Sequence, residues 1–276
     1  MRLAQIIHIL QNEPLLCGND YRATLLGLLT DHRELERAEF QHKRTGQAKS
    51  GSELEVEEVE IRDGVCIIPV GGPMAINLGE FEKGAGAVDM DDIRAELQEA
   101  EASDEITAIV LNFDSPGGTY NGTFELCEWI KANIEKPVYA FTRGTMCSGA
   151  YALACACDGI FATKSARVGN IGVYTTFMDL SGMADQKGIK VKVISSGPIK
   201  GLGVAGTSLT AEQELFMKQN VMNMAATFYS HVSSARPVPD ECMDGRWFSG
   251  DDATKNGFVD SIIGDLDELV MFLAAK

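Results

Sequence analysis

Asp114-Ser115-Pro116-Gly117-Gly118 and Met146-Cys147-Ser148-Gly149-Ala150-Tyr151 decide the fold, because each follows a short apolar run and opens a helical one. The apolar runs are residues 106–113 and 138–141. The helices that follow read over residues 123–134 and over the small residues 149–157. Crossovers between such units are right-handed and return each strand in the same direction, so the pair predicts a mainly parallel sheet in an α/β fold. Both loops then lie at one edge, beyond the carboxyl ends of the strands, where α/β proteins build their sites. One loop offers glycine N–H groups and the other a serine at a helix start. That is an oxyanion hole facing a nucleophile.

Outward from this pair, residues 55–61 alternate charge with Val56, Val59 and Ile61, and 65–70 form a near-continuous apolar strand. Residues 71–86 hold five glycines and a proline, too loose a composition for regular structure, and read as a substrate-binding flap. A helix is expected over 89–102, with an acidic first turn and Ile93 and Leu97 four apart. Residues 159–163 and 191–194 read as further strands. Thr210-x-x-Gln213 is a capping box opening a long helix through 233, with methionines at Met217, Met222 and Met224. Ser249-x-x-Asp252 starts a short helix that ends at Asn256-Gly257, before a strand over 258–263. Upstream, residues 1–40 read as helical and 42–52 as a polar linker. The division is therefore a helical leader and linker over 1–50 and one α/β domain over 51–276.

Across 276 residues, 24 basic against 40 acidic side chains give a net charge of −16, which repels nucleic acid and anionic membrane. The longest apolar run, residues 150–157, falls far short of the roughly 20 residues of a membrane span. The amino terminus lacks a clean apolar core and a small-residue cleavage site, so no signal peptide is read there. Seven cysteines, odd in number and loosely spaced, suggest reduced thiols and a cytoplasmic location. Cys155-x-Cys157 has no second Cys/His pair to complete a zinc set and reads as buried structure. Neither a metal nor a cofactor is expected.

Ser148 would lie near the positive end of a helix dipole, but a serine hydroxyl attacks only once a base takes its proton. The bland alternative is a serine that merely caps the helix. For the base, His8, His32 and His42 lie in the leader, and His231 falls late on the long helix, on what reads as a solvated face. No Ser-His-Asp arrangement emerges. Lys200 is the better candidate, being the only charged residue between Val193 and Ala211. Desolvation in that weakly polar stretch would disfavour the ammonium, as a lysine base requires; the alternative is a lysine on an exposed loop. Gly117 and Gly118 let backbone N–H groups approach a developing oxyanion, or else form an ordinary Pro-Gly turn.

The ordered set resembles the S49 family of serine peptidases, typified by signal peptide peptidase A, over about residues 64–269. The motifs are the strand with Ser115-Pro116-Gly117-Gly118, Ser148-Gly149-x-Tyr151, Asp158-Gly159-Ile160-Phe161-Ala162, Val168-Gly169-Asn170-Ile171-Gly172-Val173, Ser196-Gly197-x-x-Lys200, and Gly245-Arg246-x-Phe248-Ser249-Gly250 leading to Gly257-Phe258-Val259-Asp260. The resemblance implies a ClpP/crotonase-like fold of repeated ββα units and a Ser–Lys dyad. Carried over, Ser148 is the nucleophile, Lys200 the general base, and the N–H groups of Gly118 and Gly149 the oxyanion hole, with Gly117 and Asn170 in support. Ala150 and Asn170 depart from the family's usual glycine and serine; the serine orients the lysine in relatives, and an asparagine amide can donate a similar hydrogen bond.

Within the family the chain looks most like phage proteases that process capsid and scaffold proteins, which implies a polypeptide substrate in the host cytoplasm or the assembling prohead. The motifs shared with that branch are Ile9-Leu10-Gln11-Asn12-Glu13-Pro14-Leu15-Leu16 and Ile68-Pro69-Val70-Gly71-Gly72. The family also implies a homo-oligomer with sites shared between subunits. The competing readings are a bacterial or prophage peptidase, a crotonase-type acyl-CoA enzyme, an inactive shell component, and a ClpP-like triad protease.

Overall fold

The computed structural model describes residues 15–17 and 58–275. The leader and linker read over 1–50 lie outside the described residues except at β1 (Leu15–Cys17), which is a strand and not a helix. The chain continues through β2 (Glu60–Arg62), β3 (Val65–Gly71), β4 (Met74–Ala75), α1 (Glu80–Gly84), β5 (Val88–Asp89) and α2 (Met90–Ala102). Next come β6 (Ala108–Ser115), β7 (Gly117–Thr119), α3 (Thr123–Asn133), β8 (Val138–Cys147), α4 (Gly149–Ala154), β9 (Gly159–Ala162) and β10 (Arg167–Gly169). The last part holds α5 (Ser181–Gln186), α6 (Ala211–Ala235), β11 (Trp247–Ser249), α7 (Gly250–Lys255), β12 (Ser261–Ile262) and α8 (Leu266–Ala274).

Eight strands form the main sheet, along the path β11-β10-β8-β6-β3-β2 with β9 and β12 branching from β8. Pairs β3–β6, β6–β8, β8–β9, β8–β10 and β9–β12 are parallel; only β2–β3 and β10–β11 are antiparallel. The mainly parallel α/β reading holds. Because both faces are covered, strands read as apolar runs rather than alternating ones. Cys66, Ile68 and Val70 of β3 face a core shared with α2, α3 and α4, while Val65 and Ile67 face Leu269, Val270 and Leu273 of α8. Each of those α8 side chains contributes about 1.5–3 kcal/mol by leaving water. Among the described residues no helix is long and apolar enough to cross a membrane.

Caps behave as their side chains require. The Asp89 carboxylate accepts from the Asp91 N–H, Thr210 and Gln213 close a reciprocal capping box, and Ser249 accepts from the Asp252 N–H. Three expectations fail. Residues 71–86 are ordered, because two buried carboxylates take up the loop's backbone donors: Glu82 accepts from the Gly79 N–H at 3.0 Å and Asp89 from the Leu78 N–H at 2.8 Å. Residues 191–194 form no strand; they run exposed, with Ile194 88% accessible. The strand expected over 258–263 shrinks to β12, because Phe258 turns inward against Tyr151, with ring centroids 5.2 Å apart.

The Pro-Gly segment is itself a strand. β7 lies in a second sheet of order β1-β7-β4-β5, parallel to β4 and antiparallel to β1. Gly118 permits this, since a Cβ there would land on the Met74 backbone. Gly118→Ala should therefore destabilise the protein by about 1–3 kcal/mol. Gly71→Ala, whose Cβ meets nothing within 4 Å, should stay within about 0.5 kcal/mol. Denaturant unfolding of the two variants checks the contrast.

Candidate active site

β8 runs straight into α4, and the register between β6 and β8 shows how. Phe113 faces Thr142 while Ser115, two residues on, faces Met146, so β8 carries extra residues in a bulge. The Asp114 carboxylate fixes that bulge by accepting from the Thr145 N–H at 3.0 Å. Bulges re-aim the chain that follows them. Here the chain after the bulge ends at Ser148.

Ser148 adopts φ 56 and ψ −120, a left-handed backbone that L-residues with side chains rarely take. Its N–H donates to the Gly169 carbonyl at 2.7 Å, which pins the turn to the end of β10. The residue stands at the N-cap position, yet its side chain makes no capping bond. It is 1% accessible, and its hydroxyl has no partner among the described residues. The bland alternative of a helix cap therefore fails. A buried, unbonded hydroxyl on a strained backbone is a costly arrangement that clusters at functional sites.

The surroundings hold this turn rigidly. All six residues of α4 are buried. The Tyr151 hydroxyl donates to the Phe258 carbonyl at 2.9 Å. Asp260 accepts from the Ile160 N–H at 2.7 Å and pairs with Arg236 at 2.6 Å. The Asp158 carboxylate accepts from the Val138 N–H at 2.8 Å. The adjacent Cys147 is no rival nucleophile: burial pushes its thiol up to about 12, and it donates to the Arg167 carbonyl at 3.6 Å. Thiols attack as thiolates.

The other expected site residues divide. Gly149 opens α4, where the first-turn N–H groups have no intrahelical acceptor. Gly117, at φ 102, donates its N–H to Ser115 Oγ at 3.2 Å, so it braces the strand. Gly118 sits inside the small sheet, opposite both Met74 and Leu16, and β7 packs against α4. Asn170, also left-handed at φ 56, donates its amide to the Gly245 carbonyl, and its N–H donates to the Arg246 carbonyl. Its amide thus braces the segment before β11, and the lysine-orienting role is not seen. Lys200 lies exposed on the irregular stretch before α6, without a partner among the described residues, so those residues do not supply the desolvation expected of it.

His231 corrects the solvated-face reading. It is half-buried, its ring meets Phe124 edge-on at 5.3 Å, and Nε2 lies 2.8 Å from the Ala152 carbonyl. That acceptor requires Nε2 to carry a proton. Burial holds the imidazole below its ordinary pKa, so it ties α6 to α4 in the neutral form. Among the described residues no group of three or more His, Cys, Asp or Glu is placed to hold a metal ion.

Comparison with known proteins matches residues 130–276 to the model of peptidase family S49, a span that contains Ser148, Asn170 and Lys200 but not Gly117 or Gly118. The head-tail preconnector protein GP5 of Enterobacteria phage P21 is 28% identical over 235 residues, covering 84% of this chain and 47% of that protein. The capsid assembly protease C of Escherichia phage lambda is 24% identical over 217 residues, covering 77% of this chain and 49% of that protein. The chain thus spans about half the length of these curated relatives. Among solved structures, a ClpP1 mutant from Listeria monocytogenes aligns with a TM-score of 0.48 at 15% identity, covering 74% of this chain and 94% of that one.

Two outcomes follow from the geometry. Ser148→Gly relieves the left-handed strain and removes the unbonded hydroxyl, so it should raise stability by about 1 kcal/mol in denaturant unfolding. For His231, the folded-state pKa lies below the unfolded value of about 6.5, so its contribution is present above that pH and lost as pH falls below it. The thermal midpoint of the protein should accordingly drop between pH 7 and 5, and drop less in His231→Gln.

Proposed function

The chain belongs to peptidase family S49, and from that premise we propose that it is a serine endopeptidase with Ser148 as nucleophile and Lys200 as general base. The observation that carries this reading is the buried, unbonded Ser148 hydroxyl on a left-handed turn between β8 and α4. In the proposed reaction a neutral Lys200 amine takes the Ser148 proton as Oγ bonds to the scissile carbonyl carbon. Backbone N–H groups at Gly149 and Gly118 donate hydrogen bonds to the oxyanion that develops. Collapse breaks the C–N bond, and the leaving amine takes the proton from the Lys200 ammonium. A water, giving a proton to Lys200, then attacks the acyl carbon. The C–Oγ bond breaks, the fragment with the new carboxyl terminus leaves, and Ser148 Oγ takes the proton back from the Lys200 ammonium.

The exposed position of Lys200 favours a site completed by a second copy of the chain. The irregular stretch that carries it, together with α5 and the first turns of α6, exposes Met178, Met183, Ile194, Leu215, Phe216 and Met222. Ile194 is 88% and Leu215 66% accessible, whereas Ala225, Phe228 and Val232 farther along α6 are buried. So much apolar surface on one arm is characteristic of an interface. A neighbouring subunit seated there would strip water from the lysine, as a lysine base requires. The substrate we propose is a capsid or scaffold polypeptide of a phage head, a reading supported by the likeness to the P21 and lambda head proteins.

Ser148→Ala and Lys200→Ala should each reduce peptide hydrolysis by several orders of magnitude while leaving the fold intact by circular dichroism. Mixing the two inactive proteins under conditions of subunit exchange should restore part of the activity. Wild-type turnover in either variant sinks the dyad. An active wild-type oligomer without complementation confines the dyad to one chain.

A further inference from the structure

The small sheet contains a strand brought from far away in the chain. β1 lies antiparallel on β7, with Leu15 opposite Thr119, Leu16 opposite Gly118 and Cys17 opposite Gly117. The other edge of β7 is taken by β4 through Met74. β1 therefore covers the one edge of β7 that the rest of the domain leaves open. An open edge is a row of unpaired N–H and C=O groups, and it accepts any extended polypeptide through main-chain bonds.

Where this edge lies gives it meaning. β7 packs against α4, and Ser148 is the N-cap of α4. Ser115, two residues before Gly117, pairs with Met146, two residues before Ser148. β7, with β1 along one of its edges, thus runs beside the helix whose start carries the unbonded hydroxyl. Polypeptide cleavage needs an extended segment held by its backbone next to the nucleophile, and β7 is a strand placed to hold one.

We propose that Leu15–Cys17 is a built-in competitor of the substrate: it fills the β7 edge that an extended substrate segment would pair with, and polypeptide binds there only when β1 leaves. The proposal rests on the peptidase reading above. Among the described residues β1 is paired with β7 over three residues, a short enough contact to be displaced. While it is seated, the apparent affinity for polypeptide is reduced by the fraction of chains with an open edge.

The test uses the full-length chain carrying Ser148→Ala, so that nothing is cleaved, and a fluorescein-labelled peptide copying residues 10–20. Successive residues of a strand direct their N–H groups to opposite sides, so one of Leu15→Pro and Leu16→Pro removes a donor that faces β7. That variant should bind the peptide about tenfold more tightly by fluorescence anisotropy. Its Gly117–Thr119 amides should exchange with deuterium faster than in the parent and regain protection when peptide is added. Equal affinity in all three proteins overturns the proposal. Independently of any proline, excess peptide added to the parent should speed amide exchange at Leu15–Cys17, and unchanged exchange there also overturns it. The peptidase reading is scored separately, with Ser148 restored. Tighter binding without hydrolysis by any of these proteins removes the peptidase reading and leaves the strand competition standing. Hydrolysis with the same KM with and without the proline removes the competition and leaves the peptidase.

Discussion

One left-handed residue sets the geometry around it. β8 passes into α4 with no loop between them, so the whole change of direction falls on Ser148 at φ 56. Such a backbone costs of order 1–3 kcal/mol and persists only where its surroundings over-determine it. Here they do. The Ser148 N–H reaches the Gly169 carbonyl at the end of β10, and Asn170 repeats the left-handed conformation one strand over, with its own N–H on the Arg246 carbonyl. Parallel neighbours β8 and β10 thus end in linked turns, and β11 closes the outer edge.

The same constraint explains the composition of α4. A helix that starts from so tight a turn is driven into the middle of the domain, between β7, β8, α3 and α6. Only small residues, with Tyr151 and Leu153 as anchors, fit there with every position buried. Burial of the segment offsets the strain at its start. The motifs at Asp158, Phe258 and Asp260, which carry part of the family resemblance in the sequence, tie β8, β9 and α4 together in the structure. Their chemistry is structural: the two carboxylates accept from backbone N–H groups of Val138 and Ile160, and the Phe258 carbonyl accepts from the Tyr151 hydroxyl.

Legibility followed the range of the interactions involved. α2, α3, α6 and α7 were read to within two residues, because caps and helical periodicity are local. The extension of β8 to Cys147 was not, since it depends on a bulge held by Asp114 from another strand. β7 was read as a loop for a similar reason: Ser-Pro-Gly-Gly has loop chemistry, and pairing with β1 and with Met74, both distant in sequence, makes it a strand. Ser148 was legible as a candidate site residue from its place between strand and helix, but its unbonded hydroxyl was not. The burial of His231 depends on Phe124 and the Ala152 carbonyl, contacts that its polar neighbours along the helix do not reveal.

Residues 191–194 misled for an instructive reason. Val191, Val193 and Ile194 make an apolar run, and an apolar run is normally buried; here it is exposed beside Lys200. Hydrophobic pattern reports that a segment is to be covered, not which molecule covers it. Among the described residues the Ser148 turn is buried and held by its neighbours, while Lys200 sits on an arm whose apolar residues face water. In the proposed dyad, Lys200 would depend on assembly to lose its water, because only a covered lysine is desolvated. On the proposed reading, a domain built this way would hold its hydroxyl poised until a second copy of the chain covers the lysine arm.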